Sequence, residues 1–404
     1  MRKGLAWPWR RLATGATRPA ARHARSTEWR TPGIARHAGG TGWRLQAARL
    51  ARVGGWNAPA VLGRRGITKL AVRLPVVILL AGIPLLAVPI AQSMFASAVS
   101  PAPAASPRPG WTTEFSDRFS GAAGSGAGSA WTDDVGTQYH GTGCQGNWAT
   151  GETETDTNST ANVSEDGSGH LDITPVNTDG AWTSGRIETV PEFTPPAGGL
   201  MKVTASIRQP GPASGAGYWA AFWMLGAGYR ASGAGTSGTM NCLSWPGVGE
   251  INIMEDANAR SQVSATLHCG ITPGGPCNEG YGLTSGLRPC PGCQTGYQTY
   301  SVIINRTKPG DESVTWYLDG HAYYTVSESH VGAAVWQAAV DHAFFLILDV
   351  GIGGNFPDGA CDCATPSGQT TSGAAMSVAN VAVYTKDAPA PSSSPLSPAS
   401  PTGQ

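Results

Sequence analysis

From Trp111 to Tyr384 the chain predicts an all-β fold, a sandwich or a barrel formed as one domain, on three observations. Runs such as HLDIT, MKVTASIR, YSVIIN, VTWYL, HAYYTV and VANVAVY are short, rich in β-branched and aromatic residues, and bounded by Gly, Pro, Asn and Asp clusters. Sustained helical periodicity is nearly absent. In VTWYLDGHAYYTV two such runs flank Asp319-Gly320, a dipeptide that accepts the positive φ angles of a two-residue hairpin turn. So many strands in one segment suit a single sandwich or barrel domain.

The flanking segments differ in kind. Up to Arg73 there are 16 Lys and Arg against a single acid, Glu28, whereas from Leu74 onward there are 11 against 26 Asp and Glu. The net charge of zero is therefore a sum of a basic and an acidic part. The acidic part disfavours nucleic acid and anionic membrane surfaces as partners and suits a neutral substrate. Residues 1–66 are Arg-, Gly- and Trp-rich without an apolar period, which reads as a disordered arm or as a miscalled start, with Val61 the initiator in the second case. Residues 67–98, with Arg64 and Arg65 just ahead of them, have the order of an export signal: basic Lys69 and Arg73, then the uncharged Leu74 to Ala91, then Ala96-Ser97-Ala98. Arg64-Arg65 resembles a twin-arginine signal. Eighteen apolar residues also approach the length of a membrane anchor, but Pro75, Pro84 and Pro89 weaken a spanning helix, which favours cleavage after Ala98. The expected product is secreted; the alternative is a membrane-anchored protein with its domain outside. Residues 99–110 read as a Pro/Ala-rich linker, 111–386 as the folded domain and 387–404 as a Pro/Ser-rich tail.

All eight cysteines, at 144, 242, 269, 277, 290, 293, 361 and 363, follow the signal. An even count in an exported domain reads as disulfides, and the spacing does not choose among the 105 pairings of eight cysteines. Cys290-Pro-Gly-Cys293 has a zinc-like spacing, yet the other close pair, Cys361-Asp-Cys363, does not repeat it, so disulfides are expected over metal. The Gly-rich GAAGSGAGS at 121–129 lacks Gly-Lys-Ser/Thr and is a surface loop, not a phosphate cradle.

The chemically distinctive stretch is WPGVGEINIMEDAN, Trp245 to Asn258. Alternation along a strand puts Glu250 and Asn252 on one face and would turn Glu255 to the other. A β-bulge absorbing one residue near Met254 would return Glu255 to the first face, and bulges are frequent beside active sites. The two backbones would then stand roughly 13 Å apart. Side chains leaning together could bring the carboxyls to about 5 to 6 Å, near the separation for retaining glycoside hydrolysis. On spacing alone, a solvated acidic face explains the pair equally well.

GEINIMED resembles the active-site strand of glycoside hydrolase family 16, whose bulged members carry Glu-x-Asp-x-x-Glu. SGRIET, GYWAAFWMLG, TLHCG, YQTYSV, TWYLDG, GGNFPDG and VANVAVY are similar, in the same order, to segments of its laminarinase-like branch. GGPCNE and ANVSEDGSGHL resemble features of actinobacterial members. The resemblance runs over most of residues 115–384. It implies a concanavalin-like jelly-roll β-sandwich of two antiparallel sheets with a sugar cleft across the concave one.

It also implies roles. Glu250 is expected to be the nucleophile and Glu255 the acid that protonates the leaving oxygen and then activates water. The acid needs a raised pKa, which a neighbouring like charge promotes. Trp245, Trp219 and Trp223 match residues that line or support the cleft, where flat aromatic faces suit sugar rings; Trp223, inside AFWML, also reads as core packing. His268 and Glu152 match further cleft positions. Asn252 departs from the family's aspartate, leaving an amide that can donate to Glu250 and lower its pKa. The function implied is endo-acting hydrolysis of β-linked glucan, with 1,3 linkages foremost, by double displacement, in a monomer with no cofactor and a structural calcium left open. A carbohydrate-binding protein that lost turnover and a transglycosylase are the alternatives; retention of both glutamates favours the enzyme.

Overall fold

A computed structural model describes residues 109–230 and 239–387, all within the unit Gln92–Gln404. The expectations for residues 1–66, the export signal, most of the linker and the tail after Asp387 lie outside the described residues. Two eight-stranded antiparallel sheets make the body. The first runs in the order His321–Ser327, Ser313–Leu318, Gln298–Asn305, Leu200–Arg208, Met376–Lys386, Leu171–Ile173 and Val163–Glu165, with Thr112–Asp117 also pairing on Met376–Lys386. The second runs Leu283–Thr284, Gln262–His268, Glu250–Ala257, Tyr218–Gly226, Phe344–Ile352, Arg186–Thr189 and Trp131–Asp133, with Arg288–Pro289 also on Gln262–His268. Several neighbouring strands are far apart in sequence, Leu200–Arg208 beside Met376–Lys386 and Tyr218–Gly226 beside Phe344–Ile352 among them, as in a jelly-roll sandwich, and each of the six quoted runs lies largely or wholly on a strand.

Alternation builds the core. Met201, Val203, Ala205 and Ile207 of one sheet meet Tyr218, Ala220, Phe222 and Met224 of the other in one apolar cluster. Because successive side chains alternate, Trp219, Ala221, Trp223 and Leu225 must face the other side of their sheet. Ala221, Trp223 and Leu225 form a second cluster there with Phe345 and Ile347. Phe344–Ile352 is buried at every position because it is covered on both faces. Phe222 is fully buried, so Phe222→Ala would cost about 3 to 5 kcal/mol in lost burial and a residual cavity.

The hairpin forms as its sequence predicts: Leu318 pairs with His321, and Asp319 and Gly320 take φ of 50° and 80°. Three short helices were not apparent in the pattern: Glu328–Val331, Ala333–Val340 and Asn355–Cys361. Ala333–Val340 buries Trp336, Ala339 and Val340, a helical stripe too short to stand out as a period. Packing, more than propensity, stabilises helices of this length.

The eight cysteines form four disulfides, Cys144–Cys242, Cys269–Cys277, Cys290–Cys293 and Cys361–Cys363, with none free. The Cys-Pro-Gly-Cys pair is thus a disulfide. No helix among the described residues is long and apolar enough to cross a membrane.

Candidate active site

The bulge in Glu250–Ala257 decides the geometry. Asn252 pairs with Thr266 and Glu255 with Ser264, so Ile253 and Met254 together oppose one residue, Ala265. On the other flank Trp223 pairs with Asn252 and Phe222 with Met254, leaving Ile253 as the extra residue. Ile251, Ile253 and Met254 all enter the main core, while Glu250, Asn252 and Glu255 all line a cleft of about 1230 Å³ on the opposite face. Apolar burial of two consecutive side chains therefore drives the register shift that places the carboxylates together. Trp316, fully buried in the facing sheet, donates its indole N–H across the core to the Asn252 carbonyl at 2.8 Å.

Gly249 leads into the strand at φ 77°, where a Cβ would also collide with the Ala339 backbone; glycine alone fits without strain. Glu250 Oε2 accepts the Trp245 indole N–H at 2.9 Å, and its Oε1 lies 3.8 Å from His268 Nε2. Glu255 Oε1 accepts the Trp219 indole N–H at 3.1 Å. Burial pushes the Glu255 carboxyl up to about 7, helped by Glu250 and Asp349 and opposed by His268 and the Trp219 hydrogen bond. At His268 burial favours the neutral ring, yet Glu250, Glu279 and Glu255 outweigh it and raise the imidazole to about 9. Two neighbouring carboxyls thus differ in environment: one deeply buried and held protonated into the neutral range, the other facing an imidazolium.

All eight residues singled out from the sequence, Glu250, Asn252, Glu255, Trp245, Trp219, Trp223, His268 and Glu152, line this one cleft. Two details differ from expectation. Asn252 makes no side-chain hydrogen bond to Glu250 among the described residues; Trp245 donates to Glu250 Oε2, and His268 Nε2 faces Oε1 at 3.8 Å. Trp223 belongs to the floor on the cleft side of its sheet, not to the inter-sheet core. Its N–H donates to Asp349 Oδ1 at 2.7 Å, and the Arg186 guanidinium stands 4.9 Å over its ring. Glu152 is buried beside the floor, where it accepts from Thr150 Oγ1, and a Cβ at Gly351 would strike its carboxylate.

Sequence reasoning did not single out Arg186, Asp349 or Glu279. Arg186 and Asp349 come from neighbouring strands and lie 3.7 Å apart; burial raises Asp349 to about 7, Arg186 opposing and Glu152 adding to the rise. Glu279 accepts from His268 Nδ1 at 2.8 Å and from the Cys269 backbone N–H at 2.8 Å. Quoted within SGRIET and GGPCNE, Arg186 and Glu279 were visible as motif letters, but nothing local marked them as neighbours of the cleft. Among the described residues no group of three or more His, Cys, Asp or Glu is placed to hold a metal ion, so no side chain is assigned to calcium.

A jelly-roll sandwich with two glutamates of unlike environment on a tryptophan-lined cleft defines the class: a β-sandwich of the glycoside hydrolase type. No protein-family model matches the chain. The crystal structure of an endo-1,3-β-glucanase from Streptomyces sioyaensis is similar, with a TM-score of 0.64 and 44% identity, covering 70% of this chain and 99% of that one. That of an endo-β-1,3-glucanase from Pyrococcus furiosus has a TM-score of 0.52 and 26% identity, covering 69% and 96%. A glucan endo-1,3-beta-glucosidase A1 from Niallia circulans is 29% identical over 250 residues, 57% of this chain and 32% of that protein. The chain thus spans about a third of that curated relative's length. The chain belongs to glycoside hydrolase family 16, in its laminarinase-like branch of endo-1,3-β-glucanases.

Proposed function

We propose that the protein is a secreted, endo-acting hydrolase of β-1,3-linked glucan that works by retaining double displacement. The observation that carries this is the bulge, which brings Glu250 and Glu255 to one face of one cleft in environments that separate their roles. Glu250 attacks the anomeric carbon as Glu255 delivers its proton to the departing glycosidic oxygen, leaving a glycosyl ester on Glu250. Glu255, now a carboxylate, takes a proton from water, whose oxygen attacks the same carbon and releases Glu250. A carboxyl held to about 7 is still largely protonated in mildly acidic solution and can lose its proton in the second half of the cycle. The size of the cleft, about 1230 Å³, supports internal cleavage, and Trp219 and Trp245 offer ring faces to sugars while their N–H groups hold the two carboxyls. No cofactor enters, since nucleophile and acid are both side chains.

Incubation of the purified protein with a panel of β-glucans, agar and carrageenan tests the reading. Laminarin should be cut internally, with first-formed products that retain the β anomer by NMR. Glu250→Gln should abolish cleavage and remain folded. A wild type that binds oligosaccharide and never cuts it would establish the binding-protein alternative, and transfer to acceptor sugars in place of water the transglycosylase. Intact mass of the culture-medium protein tests export, with Val99 the expected first residue. Light scattering tests the monomer, and melting with and without EDTA tests a structural calcium.

A further inference from the structure

We propose that Glu279 is a positioning residue, which holds His268 as a fixed cation against the Glu250 carboxylate and so takes over the charge control that Asn252 cannot supply. This rests on the assignment of Glu250 and Glu255 above. The Glu279 side chain is fully buried, and both its oxygens are committed, Oε2 to His268 Nδ1 at 2.8 Å and Oε1 to the Cys269 N–H at 2.8 Å. The residue is fixed from its own loop as well. Glu279 and Gly274 exchange both backbone hydrogen bonds, and Cys269–Cys277 closes the same loop. Among the described residues Glu279 forms its ion pair with His268. With Nδ1 engaged, the ring presents Nε2 to Glu250 Oε1 at 3.8 Å, and the Trp245 ring lies beside it at 5.6 Å between centroids.

The reason for such a device lies at position 252. A neutral amide that makes no hydrogen bond to Glu250 contributes neither charge nor donor to the nucleophile. A buried carboxylate behind an imidazole favours the imidazolium, as a carboxylate behind a catalytic or metal-bound histidine sets its tautomer and charge. The groups facing this ring are Glu250, Glu279 and Glu255, and beyond them Asp349 acts on both catalytic carboxyls. Tyr229 lines the cleft within electrostatic reach of Glu250, and Tyr323, packed against the main core, is within electrostatic reach of Glu255. His268 is therefore a cation set among three carboxyl groups, of which Glu255 is held protonated into the neutral range. Without Glu279 the ring would lose its proton at lower pH, and where it is neutral the Glu255 carboxyl would lose a neighbouring cation that lowers it.

The test uses Glu279→Gln in the full chain, with kcat/KM on laminarin followed from pH 4 to 9. The alkaline limb should move to higher pH by roughly 1 unit, while the acidic limb, where the ring is protonated in either protein, should hold its place. On the alkaline side kcat should rise about tenfold for such a shift while KM stays nearly constant. His268→Gln should reproduce the displacement, and adding Glu279→Gln to it should change nothing further. Activity lost equally at all pH in step with the folded fraction, or losses that add in the double variant, would overturn the proposal. NMR titration of the wild-type His268 ring gives a readout independent of turnover and of the variant's folding. A ring that remains protonated through neutral pH supports the proposal, and one that titrates near 6.5 overturns it. If the wild type cuts no glucan, the functional reading fails while this titration still decides the role of Glu279.

Discussion

Asn252→Asp restores the charge pattern from which this chain departs, and its effect follows from the strand. Positions 250 and 252 share the cleft face two residues apart, a backbone separation of about 6.6 Å. Asn252 is only 5% exposed, so water screens a charge there poorly. At an effective dielectric of about 20 two unit charges at that distance repel by about 2.5 kcal/mol, nearly 2 pKa units. The added charge opposes the ionisation of the neighbouring carboxyls, so both limbs of the kcat/KM profile should move to higher pH by about 1 to 2 units. Activity at pH 5 should fall, and activity near pH 8 should rise relative to wild type. The three carboxyls titrate as a set, so the shifts belong to the profile and not to one residue. The assay is initial-rate kinetics on laminarin from pH 4 to 9, with circular dichroism to verify folding. Limbs that stay within about 0.3 unit of wild type in a folded variant would show that position 252 does not act electrostatically on the glutamates, and would refute the argument.

Stability should fall as pH rises. Glu255 and Asp349 are both raised to about 7, so their contribution is complete below their unfolded values and lost as pH rises through about 7. For Glu255 the shift from 4.5 amounts to about 3 kcal/mol. His268, raised from 6.5 to about 9, adds a contribution lost only as pH climbs through about 9. Tm should therefore decline from pH 5 to 9, and Glu255→Gln should flatten the portion below pH 7; a wild-type Tm that rises over this range would contradict the assignments. Trp316→Phe leaves the Asn252 carbonyl buried without its donor, at a cost of about 1 to 3 kcal/mol. Urea denaturation should detect that loss, and because the carbonyl belongs to the bulge, kcat should fall while KM changes little. Thiol labelling of the denatured, unreduced protein should find almost no free cysteine. Cys144 and Cys242 are 98 residues apart, against 2 for Cys361 and Cys363, so replacing the first pair by serine should cost more, up to about 4 kcal/mol, by the loop-entropy argument.

The elements that local pattern encodes were legible in the chain itself. The β-branched and aromatic runs MKVTASIR and YSVIIN and the Asp319-Gly320 turn each depend on a few adjacent side chains, and each folds as read. The order of motifs around GEINIMED was enough to name the family and to gather eight residues that line one cleft. What the chain could not settle alone was any relation between distant segments. Cys144 with Cys242, Arg186 with Asp349 and Trp316 with the Asn252 carbonyl are pairings across 98, 163 and 64 positions, and no local rule selects one partner over another. Asn252 looked like a donor to Glu250 because the strand puts both on one face, yet the hydrogen bond to that carboxylate comes from Trp245, with His268 facing its other oxygen at 3.8 Å once their elements dock. Glu279, eleven residues from His268, becomes its support only because a loop folds back beneath the ring. Periodicity is a property of neighbouring residues and survives in the sequence, whereas register, burial and charge environment arise only when strands from opposite ends of the chain pack together.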